Sequence, residues 1–186
     1  MRSHLYIKNM ILTSLFLAIG LVLPAFFHSI GAGQAFLPMH LPVMVCGLVC
    51  GWQWGLLCGA VLPLISSIFL GMPALFPLAI SMIFELAAYG FLCGWLLTHY
   101  TKRGSGIYLA LILAMLGGRL VSGVTRALLF SIIGLPYSWQ IFINGAFITA
   151  IPGIILQLII VPPLAIAIKL LPFNQKTSIN GGLRNG

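Results

Sequence analysis

The chain holds a single acidic side chain, Glu85, and it stands inside a long apolar run; two arginines, Arg119 and Arg126, stand inside the next. A charge facing lipid at mid-bilayer costs on the order of 3 kcal/mol or more, so such groups are expected to face the interior of a bundle and to be paired. Arg119 and Arg126 are seven residues, or two helical turns, apart and therefore share a face. At about 1.5 Å per residue, Glu85 lies about 12 Å and Arg126 about 10 Å from the uncharged ends of their segments, whereas Arg119 lies about 20 Å down. The matched depths predict an ion pair between Glu85 and Arg126. Such a pair can simply pin the helices together. Alternatively it marks a ligand site, because two interior arginines against one acid leave a positive charge that an anionic group would balance. On that reading Arg126→Ala abolishes binding of an anionic substrate. Glu85 would equally suit an amine or ring nitrogen, as in a pyridoxine-like ligand.

Other polar groups fall near the same level. His40 opens the second apolar segment, and Gln140 and Asn144 lie at the start of the last. Together they predict a polar ring, with Tyr89, one turn beyond Glu85, and Trp139 as apolar walls; ligand sites are typically apolar with a few polar groups that fix orientation. Gln157, deeper in the last segment, is expected to bond to a neighbouring helix. The chain carries no HExxH, no Gly-x-Ser-x-Gly, no Walker phosphate loop and no Rossmann fingerprint. One carboxylate excludes paired-acid chemistry and proton-relay series, and the chain cannot hydrolyse ATP by itself. Ser81 and Ser122 lie within apolar segments but have no His or Lys evidently level with them, as a serine protease would need. Cys46 and Cys50 are one turn apart without a further Cys or His at metal-ligand spacing, so the four cysteines (Cys46, Cys50, Cys58, Cys93) read as small apolar fillers. Neither an enzyme nor a metal or cofactor is expected.

These groups are positioned by membrane-spanning helices. Of 186 residues 61% are hydrophobic and 5% charged, against about a quarter charged in soluble domains. The apolar runs are continuous rather than alternating, which favours helices over a β-barrel. Six segments are expected, at about 8–27, 39–51, 56–70, 77–99, 107–133 and 139–171, in one transmembrane domain over 1–172, with 173–186 a loose polar tail. The second is too short to cross without its flanking loop. Gly51-Trp52-Gln53-Trp54-Gly55 reads as a tight turn with interfacial tryptophans, and Pro152 and Pro162-Pro163 are expected to kink the last segment. The first segment has the basic flank of a signal peptide, but Phe26-Phe27-His28 follows Pro24 in place of a small-residue cleavage site, so it is read as a span.

The net charge of +8 does not indicate nucleic-acid binding, because the charges form no basic stripe. Arg2, Lys8, Lys102, Arg103, Lys169, Lys176 and Arg184 instead flank the apolar runs, while the connections at 28–38, 71–77 and 134–139 carry no Lys or Arg. With six spans the basic connections fall on one side, which places both termini in the cytoplasm. The first three segments and the last three show no repeat of the kind that marks many secondary transporters.

The stretch Phe36-Leu37-Pro38-Met39-His40-Leu41-Pro42-Val43, followed by Gly51-Trp52-Gln53-Trp54-Gly55 and Gly71-Met72-Pro73, resembles the substrate-binding S-component of energy-coupling factor (ECF) vitamin transporters, and the likeness covers nearly the whole chain. The tryptophans at 52 and 54 depart from the Pro and basic residue expected at that turn. The family's small-x-x-x-small motif on span 1 is matched by Ser14 and Ala18, four apart and on one face. The resemblance implies a six-helix subunit of a prokaryotic cell membrane that captures a vitamin or related micronutrient from outside, with the span 1–2 loop as a lid. It implies docking, through Ser14 and Ala18, on a transmembrane coupling subunit that works with two ATPases, and toppling in the membrane to release substrate. Among the family's substrates the charge balance favours pantothenate or another anionic compound. The competing readings are a self-sufficient secondary transporter or channel, and a structural role without ligand.

Overall fold

The computed structural model describes residues 2–29, 31, 36–100 and 106–170. Part of the proposed lid, the basic turn and the tail from 171 lie outside the described residues. The first helix, α1, spans Arg2–Ser29, and α2, His40–Cys50, is only 11 residues long. Next come α3, Trp52–Leu70, a π-helical turn at Leu75–Ala79, and α4, Ile80–Tyr100. Then α5 spans Gly106–Ile132, a short α6 spans Trp139–Ile143, a second π-helical turn covers Asn144–Ile148, and α7 spans Ile151–Leu170. No strand occurs among the described residues. Among the described residues five stretches are long and apolar enough to cross a membrane: Leu5–Phe27, Trp52–Leu70, Leu75–His99, Gly106–Ile132 and Ile151–Leu170.

The second expected segment, α2, is short because it is enclosed by the other helices. All of its residues but Val49 are buried, and it packs against α1, α3, α4 and α7. Backbone polar groups at its ends are thus shielded by protein, the condition under which a bilayer tolerates an incomplete crossing. Neighbouring helices alternate in direction. Asn9 Nδ2 donates to the Cys50 carbonyl at 3.3 Å and Thr13 Oγ1 lies 3.6 Å from Cys46 Sγ, which makes α1 and α2 antiparallel.

The centre of the bundle is a seam of glycines. Gly55 and Gly59 on α3 face Gly90 and Leu86 on α4, and Gly47 on α2 meets Gly90 as well. A Cβ at Gly90 would collide with the backbone of Gly55, and one at Gly47 or Gly55 with the carbonyl of Gly90. Apolar side chains gain little from associating in lipid, so backbone contact of this kind supplies the dispersion energy that holds the helices. Cys46, Cys58 and Cys93 are fully buried beside the seam as free thiols, and Cys50 is buried at the end of α2, matching their expected role as fillers.

Two local expectations change. The turn between the second and third segments is one residue, Gly51 (φ 96°), a backbone region open to glycine; Trp52 already belongs to α3. The last segment breaks at 149–150, before Pro152, which sits in the first turn of α7 where its missing N–H is no loss. The helix runs on through Pro162-Pro163.

Gly90→Ala is expected to destabilise the detergent-solubilised protein by about 2 kcal/mol through overpacking, read as a lower melting temperature. Gly145→Ala, where a Cβ meets nothing within 4 Å, should leave the melting temperature unchanged or slightly raised.

Candidate functional site

The antiparallel pair α4 and α5 sets the register of the polar groups. Glu85 opposes Ser122, and one turn further along both helices the Tyr89 ring lies against Gly118. Ser122 Oγ donates to Glu85 Oε2 at 2.7 Å, and Arg126 Nη2 approaches the same oxygen at 3.5 Å. The other carboxylate oxygen, Oε1, lies 3.5 Å from Nε2 of His40. The chain's one carboxylate is therefore met from three sides, by α2 and by two positions of α5. In a low-dielectric interior this engagement is what makes a buried carboxylate tolerable.

His40 opens α2 with its ring edge-on to Tyr89, centroids 5.2 Å apart. Neither ring nitrogen of His40 has a hydrogen-bond partner among the described residues, nor do the Tyr89 hydroxyl and Arg126 Nε. Gln157 on α7 is fully buried with both amide atoms unpartnered, so its expected bond to a neighbouring helix is not seen. Arg119 is buried on α5, with its guanidinium carbon 5.6 Å from the centroid of the Phe147 ring.

His40, Glu85, Tyr89 and Arg126 are thus brought together. Trp139, Gln140 and Asn144 are exposed, and no hydrogen bond or ring contact joins them to that group. Their segment instead rests on α5 through Phe142: the Phe142 ring fills the space beside Gly123, and the Trp139 ring lies tilted against Phe142, centroids 5.3 Å apart. Ser122 is the member of the cluster that sequence reasoning did not assign to it. It stands three residues after Arg119 and four before Arg126, a spacing that puts all three on one helix face.

The arrangement is unsuited to nucleophilic catalysis. Ser122 gives its proton to the carboxylate itself and not to the imidazole, the reverse of the order a serine nucleophile needs. Ser81 donates to the carbonyl of Leu78 in its own turn. Among the described residues no group of His, Cys or Glu could hold a metal ion.

On the opposite flank, Ser14 and Ala18 are exposed along α1 together with Ile7, Ile11, Leu15 and Val22. Ser14 Oγ donates to the Met10 carbonyl at 2.9 Å, so its polarity is satisfied within the helix and the strip is smooth and apolar. Thr13, Phe16 and Gly20 face the bundle instead.

Glu85→Gln should cost about 2 kcal/mol of stability, less than for a fully enclosed pair because the Arg126 side chain is 31% exposed. Adding Arg126→Gln should restore part of that loss in a double-mutant cycle read by thermal melting.

Over residues 8–165 the chain matches the family model described as ECF transporter, substrate-specific component. No curated relative and no solved structure matches it. The matched stretch begins in α1 and ends in α7, taking in the helices of the polar cluster and the exposed strip of α1. With its five long apolar stretches, the chain is a multi-pass membrane protein and belongs to the family of substrate-specific components of ECF transporters.

Proposed function

We propose that this protein captures an acidic micronutrient in the interior of its helical bundle and delivers it to an energy-coupling module made of a transmembrane coupling subunit and two ATPases. The observation that carries the reading is the charge balance around Glu85. The only carboxylate in the chain is engaged by Ser122, Arg126 and His40, while a second arginine, Arg119, is buried on the same face of α5. The cluster is therefore net positive in a medium that penalises charge, and a ligand carboxylate or phosphate would neutralise it. Glu85 is already neutralised by Arg126 and hydrogen-bonded by Ser122, which favours an anion over an amine as the ligand group. His40, Glu85, Tyr89 and Arg126 form the polar wall of the site, with Trp139, Gln140 and Asn144 closing over it when ligand is held. Pantothenate is the kind of compound this balance favours.

Six crossings with both termini in the cytoplasm of a prokaryotic cell membrane are the reading that the five long helices and the enclosed α2 support. The alternating helix directions, with the start of α1, the α2–α3 turn and the end of α4 at one end of the bundle, support it too, as does the distribution of Lys and Arg in the sequence. Ser14 and Ala18 would seat the coupling subunit, since small exposed residues one turn apart allow close helix approach.

Mass spectrometry of small molecules extracted from the purified protein should find a stoichiometric acidic compound, and uptake of that compound by cells should require the ATPases. Uptake that persists without the ATPases would instead identify a self-sufficient carrier. Replacing both Ser14 and Ala18 by Trp should abolish copurification with the coupling subunit while leaving the captured compound in place.

A further inference from the structure

Arg126 and Arg119 are not equivalent. Arg126 is committed to Glu85, and Ser122 to the same carboxylate oxygen. Arg119, only 4% exposed, stands one turn further along the same face, with the Phe147 ring against its guanidinium. An aromatic face attracts a cation, but it does not cancel a full charge in a bilayer. Beside it lies a second unsatisfied group. The Tyr89 ring is 0% exposed and rests on Gly118, the residue adjoining Arg119, with ring atoms 2.7–2.9 Å from where a Cβ at Gly118 would be; its hydroxyl has no hydrogen-bond partner. A buried phenol without a partner is costly, and a buried cation without a counter-charge more so. Among the described residues Arg119 has no carboxylate beside it and the Tyr89 hydroxyl no hydrogen-bond partner, and a cation and a donor so placed on facing helices describe a receptor for an acceptor-rich anion.

We propose that Arg119 and the Tyr89 hydroxyl form the anion subsite, taking the carboxylate or phosphate group of the ligand, and that Glu85, Ser122, Arg126 and His40 are the clamp that holds α2, α4 and α5 in register around it. This assignment rests on the capture reading above and names the groups that carry out the recognition. It moves the key cation from Arg126, expected from depth alone, to Arg119. The Phe147 ring lies over one face of the guanidinium and leaves its N–H edge to the anion.

The test uses the full-length protein in detergent, as wild type and as Arg119→Gln, Arg119→Lys, Tyr89→Phe and the paired variant Glu85→Gln/Arg126→Gln. Small molecules are extracted from each and quantified, with melting curves to establish folding. The expected result is an acidic compound in the wild type whose occupancy falls about tenfold or more in Arg119→Gln, the loss due to a charge-assisted hydrogen bond, and a few-fold in Tyr89→Phe. Arg119→Lys should keep part of it, and the paired variant, which alters the polar wall but leaves Arg119 and Tyr89 in place, should lose less than Arg119→Gln. Undiminished occupancy in folded Arg119→Gln overturns the subsite, as does loss in the paired variant with retention in Arg119→Gln. A captured compound without an acidic group overturns the subsite and leaves capture standing. If the wild type brings down nothing, capture is what fails, and the subsite is judged by protection against melting by sodium acetate and sodium phosphate. Protection of the wild type but not of Arg119→Gln supports it, and equal or no protection overturns it.

Discussion

Everything in this bundle depends on how closely the backbone of α4 can approach its neighbours at Gly90. There the main chains of α2, α3 and α4 touch, through Gly47, Gly55 and Gly90, without an intervening side chain. In water a seam of this kind would be a minor addition to hydrophobic burial. In a bilayer, where lipid tails are as apolar as the helices, it is the principal source of specific attraction. Its effect on the polar groups is direct. With α4 held against α2, His40 and Glu85 can reach each other across about one side-chain length; a larger residue in the seam would separate them.

The second constraint is electrostatic and concerns bookkeeping over the whole chain. A bundle with one acid and two arginines in adjacent spans cannot neutralise itself. The pairing of Glu85 with Arg126 and Ser122 lets α5 dock on α4 in a single register, because displacement by one residue would turn Ser122 about 100° away from the carboxylate. Specificity of packing and surplus of charge therefore come from the same few residues, and on the proposed assignment the two roles left open for the ion pair divide between the two arginines.

Much of this was legible in the sequence, for physical reasons. Lipid imposes long apolar runs, so the bounds of α3, α4 and α5 follow from composition to within a few residues, whereas α1 runs back past its apolar stretch to Arg2. The fixed rise of a helix turned residue counts into depths, and the pairing of Glu85 with Arg126 followed from that. Depth, however, is only one of the two coordinates of a side chain on a bundle; the angle about the helix axis is set by packing. His40, Gln140 and Asn144 were grouped by depth, yet only His40 turns toward Glu85, because α2 is enclosed whereas α6 rests on the outside of α5 through Phe142. Ser122 is weighed there only as a nucleophile and not as a partner of Glu85, since a serine in an apolar helix has no cost that demands a partner. Which faces the glycines at 55, 59 and 90 share depends on the assembled helices.

The brevity of α2 has an electrical consequence. Eleven residues span about 16 Å, roughly half of a hydrocarbon core about 30 Å thick. On the proposed orientation its first residue, His40, therefore lies near mid-depth, and the polar cluster with it. An anion arriving from outside would cross about half of the transmembrane field, moving toward the negative interior. At about 2.3 kcal/mol per charge for each 100 mV, the membrane potential would oppose its arrival by about 1 kcal/mol. Capture against that gradient depends on a positive charge already waiting in the protein, and a resting cell would hold such a ligand slightly less tightly than a depolarised one.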